Sequence, residues 1–135
     1  MVAVSRAQSG WQIDIEPADG PVASWAMPLL TPSGRVYVFY DYNGDRVDTL
    51  GDKKGIRADM LGWYVYKYSD DNGRTWSARH YRLPVRFTEY DRDNDFGGKV
   101  QMFWGIGKPI VAGGTVYFGF SKIGKHVVDK SEGWF

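Results

Sequence analysis

Short runs of β-branched and aromatic residues, bounded by turn residues, recur along this chain, with the period-two patterning of half-buried strands. The clearest are Val36-Tyr37-Val38-Phe39-Tyr40 and Trp63-Tyr64-Val65-Tyr66-Lys67-Tyr68, neither holding a breaker. Before the first, Ala23 to Leu30 reads as a buried strand, joined to it by a turn at Thr31-Pro32-Ser33-Gly34-Arg35. After the second, Ala78 to Val85 reads as another extended run. These are four strands in succession. A weaker pattern at Trp11-Gln12-Ile13-Asp14-Ile15 precedes them, followed by a turn-rich stretch from Glu16 to Pro21.

The pattern then restarts. Lys108-Pro109-Ile110-Val111, a Gly113-Gly114 turn and Val116-Tyr117-Phe118-Gly119-Phe120 repeat Met27-Pro28-Leu29-Leu30, a turn and Val36-Tyr37-Val38-Phe39-Tyr40. Gly124 to Gly133 is then expected to be a loop, and Gly133-Trp134-Phe135 to open a strand as Gly62-Trp63-Tyr64 does. The chain stops as that strand begins, which reads as truncation. Two long polar stretches, Asp41 to Met60 and Arg86 to Lys99, are expected to be loops.

Composition sharpens the class. Aromatics make up 16% of the 135 residues and glycines number 17, a mixture that suits short strands joined by turns. The formal charge of +1 gives no case for nucleic acid or an anionic membrane surface as partner. The absence of cysteine removes disulfide and thiolate chemistry. Met1 to Arg6 lacks the apolar core of a signal peptide, and no apolar run is long enough to cross a bilayer as a helix.

The most specific stretch is Ser69-Asp70-Asp71-Asn72-Gly73-Arg74-Thr75-Trp76, between two predicted strands. Asp71 is placed to accept backbone amides, Gly73 supplies a positive φ, Ser69 adds a hydroxyl contact, and Trp76 closes the edge of a small core. Read as S-x-D-x-G-x-T-W, the octet matches every fixed position of the Asp-box, and the chain resembles the sialidase (neuraminidase)-like β-propellers that carry this repeat. The resemblance implies an all-β fold, here a β-propeller fragment of about two four-stranded antiparallel blades from a six-bladed parent. One blade is complete at about 24–85 and a second, incomplete, spans about 104–135. It also implies that Ser69, Asp71, Gly73, Thr75 and Trp76 are structural, on the face away from the active site, and that the protein is secreted or periplasmic. A blade needs about forty to fifty residues, so a closed ring requires the remainder of the propeller or self-association.

Because antiparallel strands alternate direction, both charged loops and the Ser121 to Gly133 stretch share one face, opposite the short glycine turns and the Asp-box. Function is usually carried on long loops held by a scaffold. In the sialidases the loop after strand two of the first blade holds an acid/base Asp. Asp41, Asp45, Asp48 and Asp59 lie in that loop here, and Asp45 and Asp59 are the catalytic candidates. The family's strand-one arginine is absent, since Ala26-Met27-Pro28 stands at that place. Arg46, Arg57, Arg92, Asp93 and Lys108 are the candidates for holding a carbohydrate substrate. The family's Tyr and Glu nucleophile pair would come from later blades. The resemblance therefore implies a glycoside hydrolase acting on a terminal sugar, or a non-catalytic Asp-box propeller that binds glycan or protein.

Other motifs carry less. Asp91-Arg92-Asp93-Asn94-Asp95 resembles a calcium loop, but Phe96 and Met102 stand where an EF-hand needs glycine and glutamate. No cofactor and no bound metal are expected, the open alternative being a calcium site other than an EF-hand on the Asp91–Asp95 carboxylates. His80 and His126 have no metal-ligand spacing. Trp25, Trp63, Trp104 and Trp134 alternate with strand apolars as core residues do, with Trp104 placed to stack on a pyranose.

Overall fold

The computed structural model describes residues 3–5, 12–47, 62–105, 107–124 and 131–134. Asp48, Arg57, Asp59, His126 and Phe135 lie outside the described residues. The protein is all-β, built from short antiparallel sheets, with a single turn of helix among the described residues. No helix among the described residues is long and apolar enough to cross a membrane.

The central sheet holds β3 (Ala23–Leu30), β4 (Val36–Tyr42), β5 (Trp63–Ser69) and β6 (Tyr81–Arg82), paired antiparallel in chain order. Its two faces are both apolar, which explains why β4 and β5 read as nearly continuous hydrophobic runs. Val38, Tyr40 and Val65 pack with Ile15 and Ala23 on one face. Phe39 and Tyr64 pack with Met27 and Leu29 on the other. Ala23 and Met27, an even number of positions apart, end on opposite faces because the β3–β4 register shifts between Ser24 and Met27, where Trp25 has φ 59°. No glycine marks that bulge.

Ahead of the central sheet, β1 (Ala3–Ser5) and β2 (Gln12–Asp14) form an antiparallel pair, and the chain beyond β2 lays Ile15 and Glu16 on the first face. The second face is covered by a three-stranded sheet made of β7 (Phe103–Trp104), β10 (Phe120–Ile123) and β11 (Ser131–Trp134). Phe103, Phe118 and Phe120 supply that cover. A two-stranded ribbon, β8 (Ile110–Ala112) with β9 (Thr115–Tyr117), lies between β7 and β10 in the chain.

This second unit departs from expectation in three places. Val116 to Phe120 is not one strand, since the pairing lapses at Phe118 and Gly119. Part of the expected Ser121 to Gly133 loop is strand, in β10 and at the start of β11. The buried lysine Lys122 hides this from a hydropathy reading. Trp134 lies opposite Phe120, the repeat equivalent of Tyr40, whereas Trp63 lies opposite Tyr42. The second polar loop contains α1 (Glu89–Arg92), opened by Thr88, whose amide donates to the Asp91 carboxylate at 2.6 Å.

Candidate functional site at the loop end of the central sheet

The register fixes two ends of the central sheet. Val36 opposes Ser69 at one end, and Tyr42 opposes Trp63 at the other.

The first end carries the Ser69–Trp76 turn. Asp71 Oδ1 accepts the Thr75 amide at 2.8 Å and the Ser69 hydroxyl at 2.7 Å, while Oδ2 accepts the Thr75 hydroxyl at 2.7 Å. Ser69 Oγ in turn accepts the Gly73 amide at 2.8 Å. Those bonds, first from the Thr75 backbone and then from the Thr75 and Ser69 hydroxyls, hold the Asp71 carboxyl down to about 2. Gly73 has φ 83°, and Trp76 packs on the first-face core. Arg35 spans the neighbouring turn, donating to Asp70 at 2.6 and 3.1 Å, with its guanidinium 4.5 Å from the Tyr68 ring centre.

The second end carries the loops after β4 and β6. Asn43 shapes the first of them, donating to the Val47 carbonyl at 2.8 Å and accepting the Val47 amide at 3.0 Å. That clamp presents Asp45, whose carboxylate accepts the Trp63 indole N–H at 3.1 Å. The Arg82 guanidinium lies 5.0 Å from the Trp63 ring centre. Gly62, with φ 117°, donates to the Gln101 carbonyl at 3.0 Å and draws the second loop alongside. Between the loops is a cleft of about 430 Å³ lined by Asp45, Trp63, Arg82, Phe87, Lys99 and Gln101, with Gly62, Gly98 and Val100 completing its wall. One carboxylate, two cations, one amide and two aromatic rings meet there. Such a mixture suits a small polar ring, bonding its hydroxyls and stacking on its apolar face.

Of the sequence-predicted catalytic and substrate-binding residues that are described, Asp45 lines this cleft. Arg46 turns away, with φ 51° and its side chain donating to the Asp19 carbonyl at 3.4 Å. Arg92 ends α1 and Asp93 caps it, both exposed. Lys108 stands beside Thr31 and Pro32, in a separate groove at the opposite end of β3. Asp41 belongs to β4 and is buried, where burial first and the Asp41 charge second push the Tyr64 phenol up. Trp104 packs against Trp25, ring centres 5.2 Å apart. Arg82, Lys99 and Gln101 were not legible as site residues, because β6 and the second loop meet the first loop only in the folded sheet.

Among the described residues two buried polar clusters accompany the cleft, one that shares none of its lining residues and one that shares its Gln101. Glu16 Oε1 receives the Tyr40 hydroxyl at 2.5 Å, the Lys67 ammonium at 3.0 Å and the His80 ring at 2.8 Å. Burial pushes the Glu16 carboxyl up, and bonds from Tyr40, Lys67 and His80 more than offset it, so the group ends below its ordinary range. In the second cluster Lys122 pairs with Asp91 and donates to the Arg86 carbonyl at 2.5 Å, while Gln101 donates to Asp91 at 3.3 Å. The Asn94 side chain is engaged with the Phe96 and Gly98 amides and the Val100 carbonyl. Asp91 of this stretch thus engages a lysine ammonium, and no group of three or more metal-ligating side chains occurs among the described residues.

No family model, curated protein or solved structure matches the chain.

Proposed function

We propose that this chain is part of a sialidase-like β-propeller that takes a terminal sugar of a glycan at the loop end of its central sheet, as a glycoside hydrolase. The observation that carries the reading is the division of the sheet: the octet turn closes one end with its own hydrogen bonds, and the cleft of Asp45, Trp63 and Arg82 occupies the other. Asp45 would serve as acid/base, with Asp59 the alternative from the same loop, and Arg82 and Lys99 would orient the sugar. Glycoside hydrolysis ordinarily needs two carboxyl groups flanking the scissile bond. Asp45 is the one carboxylate on the cleft among the described residues, which favours a second reading, a propeller that binds glycan without cleaving it.

The two readings separate in one experiment. The chain, its Asp45→Asn variant and its Arg82→Ala variant are titrated calorimetrically with oligosaccharides of differing terminal sugar and incubated with fluorogenic glycosides. Hydrolysis lost in Asp45→Asn with binding retained supports the hydrolase. Binding without turnover, weakened in Arg82→Ala, supports the glycan-binding propeller. No binding to any glycan contradicts both.

A further inference from the structure

Trp63 is the ring in the cleft on which a sugar would stack, and its neighbours on two sides differ in character. On the cleft side Asp45 accepts its N–H at 3.1 Å and the Arg82 guanidinium lies 5.0 Å from its ring centre, and both residues are exposed. Exposed side chains trade such contacts with water and keep much of their rotamer freedom, so they do not by themselves hold a ring in one plane. Behind Trp63 stands Tyr42, its cross-strand partner, with ring centres 6.2 Å apart and planes at 60°.

Tyr42 is fixed in its turn. The His80 ring stacks on it, centres 4.1 Å apart and planes 19° from parallel. His80 Nε2 lies 2.8 Å from Glu16 Oε1, on a carboxylate whose side chain is 2% exposed. A carboxylate that also takes the Lys67 ammonium can only accept, so Nε2 carries the proton and donates, which sets the tautomer and the orientation of the imidazole. Tyr40 and Lys67 hold the same oxygen at 2.5 and 3.0 Å, so this end of the series is anchored in the interior. The loop that presents Asp45 rests on the other end: a Cβ on Gly44 would stand 3.0 Å from the Tyr42 ring and 3.1 Å from the Trp63 ring. Contacts thus run without a break from Glu16 through His80 and Tyr42 to Trp63.

We infer that His80 and Tyr42 are positioning residues for the cleft: together they hold the plane of Trp63 and the seat of the Asp45 loop, so that affinity for a terminal sugar depends on the His80–Glu16 hydrogen bond. Neither His80 nor Tyr42 lines the cleft itself. Their contribution is pre-organisation, since a sugar that stacks on a ring already fixed does not bear the cost of ordering it. The inference rests on the reading of the cleft as a sugar site.

Two substitutions of His80, whose side chain is 25% exposed, separate its contacts. His80→Gln keeps a donor for Glu16 and loses the stack, whereas His80→Phe keeps the stack and loses the bond. Each should shift the Trp63 indole N–H resonance of the free protein while the Trp76 resonance stays in place. In calorimetric titration with oligosaccharides of differing terminal sugar, each should weaken binding by about three- to tenfold. Tyr42→Leu should do the same, and Tyr42→Phe, which keeps the ring, should restore both readouts. An unmoved Trp63 resonance in His80→Gln, His80→Phe and Tyr42→Leu, or a shifted one with affinity unaltered, would overturn the inference. An effect in only one of the two His80 variants would overturn the joint role of bond and stack. If the unaltered chain binds no glycan, the sugar reading falls separately, and the Trp63 resonance still decides whether His80 and Tyr42 position the ring.

Discussion

The Tyr40 hydroxyl donates to Glu16 at 2.5 Å in the interior of the protein, joining the segment after β2 to the middle strand of the central sheet. Lys67 and His80 converge on the same carboxylate oxygen, and Lys67 also donates to the Ile15 carbonyl at 3.0 Å. Removing Glu16 strands a buried ammonium. Glu16→Ala should therefore cost about 3–5 kcal/mol in urea unfolding, and Glu16→Gln less, since an amide oxygen still accepts. A loss below 1 kcal/mol for Glu16→Ala would mean that the cluster does not tether the segment.

The same carboxylate sets a pH dependence. Its pKa is lowered in the folded protein, so its contribution is complete above the ordinary carboxylate range and is lost as pH falls through the folded value. Tyr40 works in the opposite sense: burial first and the Glu16 contact second raise its phenol, so its contribution is lost as pH rises beyond the ordinary phenol range. Melting temperature against pH should fall at both extremes, and the acid limb should flatten in Glu16→Gln.

Asp71 gives a second acid limb. Its carboxyl is held at about 2 against an ordinary 3.8, so the turn's stabilisation is present above pH 3.8 and disappears as pH falls through about 2. Asp71→Ala should lower the melting temperature measurably at neutral pH and by a smaller amount at pH 2. Equal losses at both values would mean that the Thr75 and Ser69 bonds contribute little.

Lys122 and Asp91 are both fully buried, and each is the other's charge partner. Lys122→Met should cost about 3–5 kcal/mol by leaving a carboxylate uncompensated. Adding Asp91→Leu should recover part of that loss, because a pair replaced by apolar groups forfeits less than a pair broken in half. Additive losses in the double variant would contradict the pairing.

Gly62 holds φ 117°, and a Cβ there would stand 2.4 Å from the Tyr42 carbonyl oxygen. Gly62→Ala should destabilise by on the order of 1 kcal/mol or more and move Trp63 away from Asp45. Unchanged stability with an unchanged tryptophan emission spectrum would rule this out.

Local chemistry made part of this fold legible before any coordinates. Val36 to Tyr40 and Trp63 to Tyr68 are strands because their residues suit a pleated sheet buried on both faces, and Gly73 sits at the positive φ its turn needs. What escaped depends on partners distant in sequence. Glu16 looks like one more polar residue in a turn-rich stretch until Tyr40, Lys67 and His80 close on it. Lys122 makes Phe120–Ile123 look like loop until Asp91 neutralises it. Trp25 occupies the bulge of β3 at a φ that no sequence rule assigns to tryptophan. The cleft follows the same division: Asp45 was legible from its loop, whereas Arg82 reaches it through the β5–β6 pairing and Lys99 through the loop that Gly62 bonds at Gln101.

Trp63 stands beside Asp45 at one end of the central sheet, and Trp76 stands behind the Asp71 turn at the other. Their indole N–H resonances, followed by two-dimensional NMR as terminal-sugar oligosaccharides are added, test the proposed division of labour directly. The account predicts a saturable shift of the Trp63 signal with the Trp76 signal unmoved, and loss of the response in Arg82→Ala. A shift confined to Trp76, or no shift at Trp63 with any glycan, would contradict the assignment of the loop end as the sugar site.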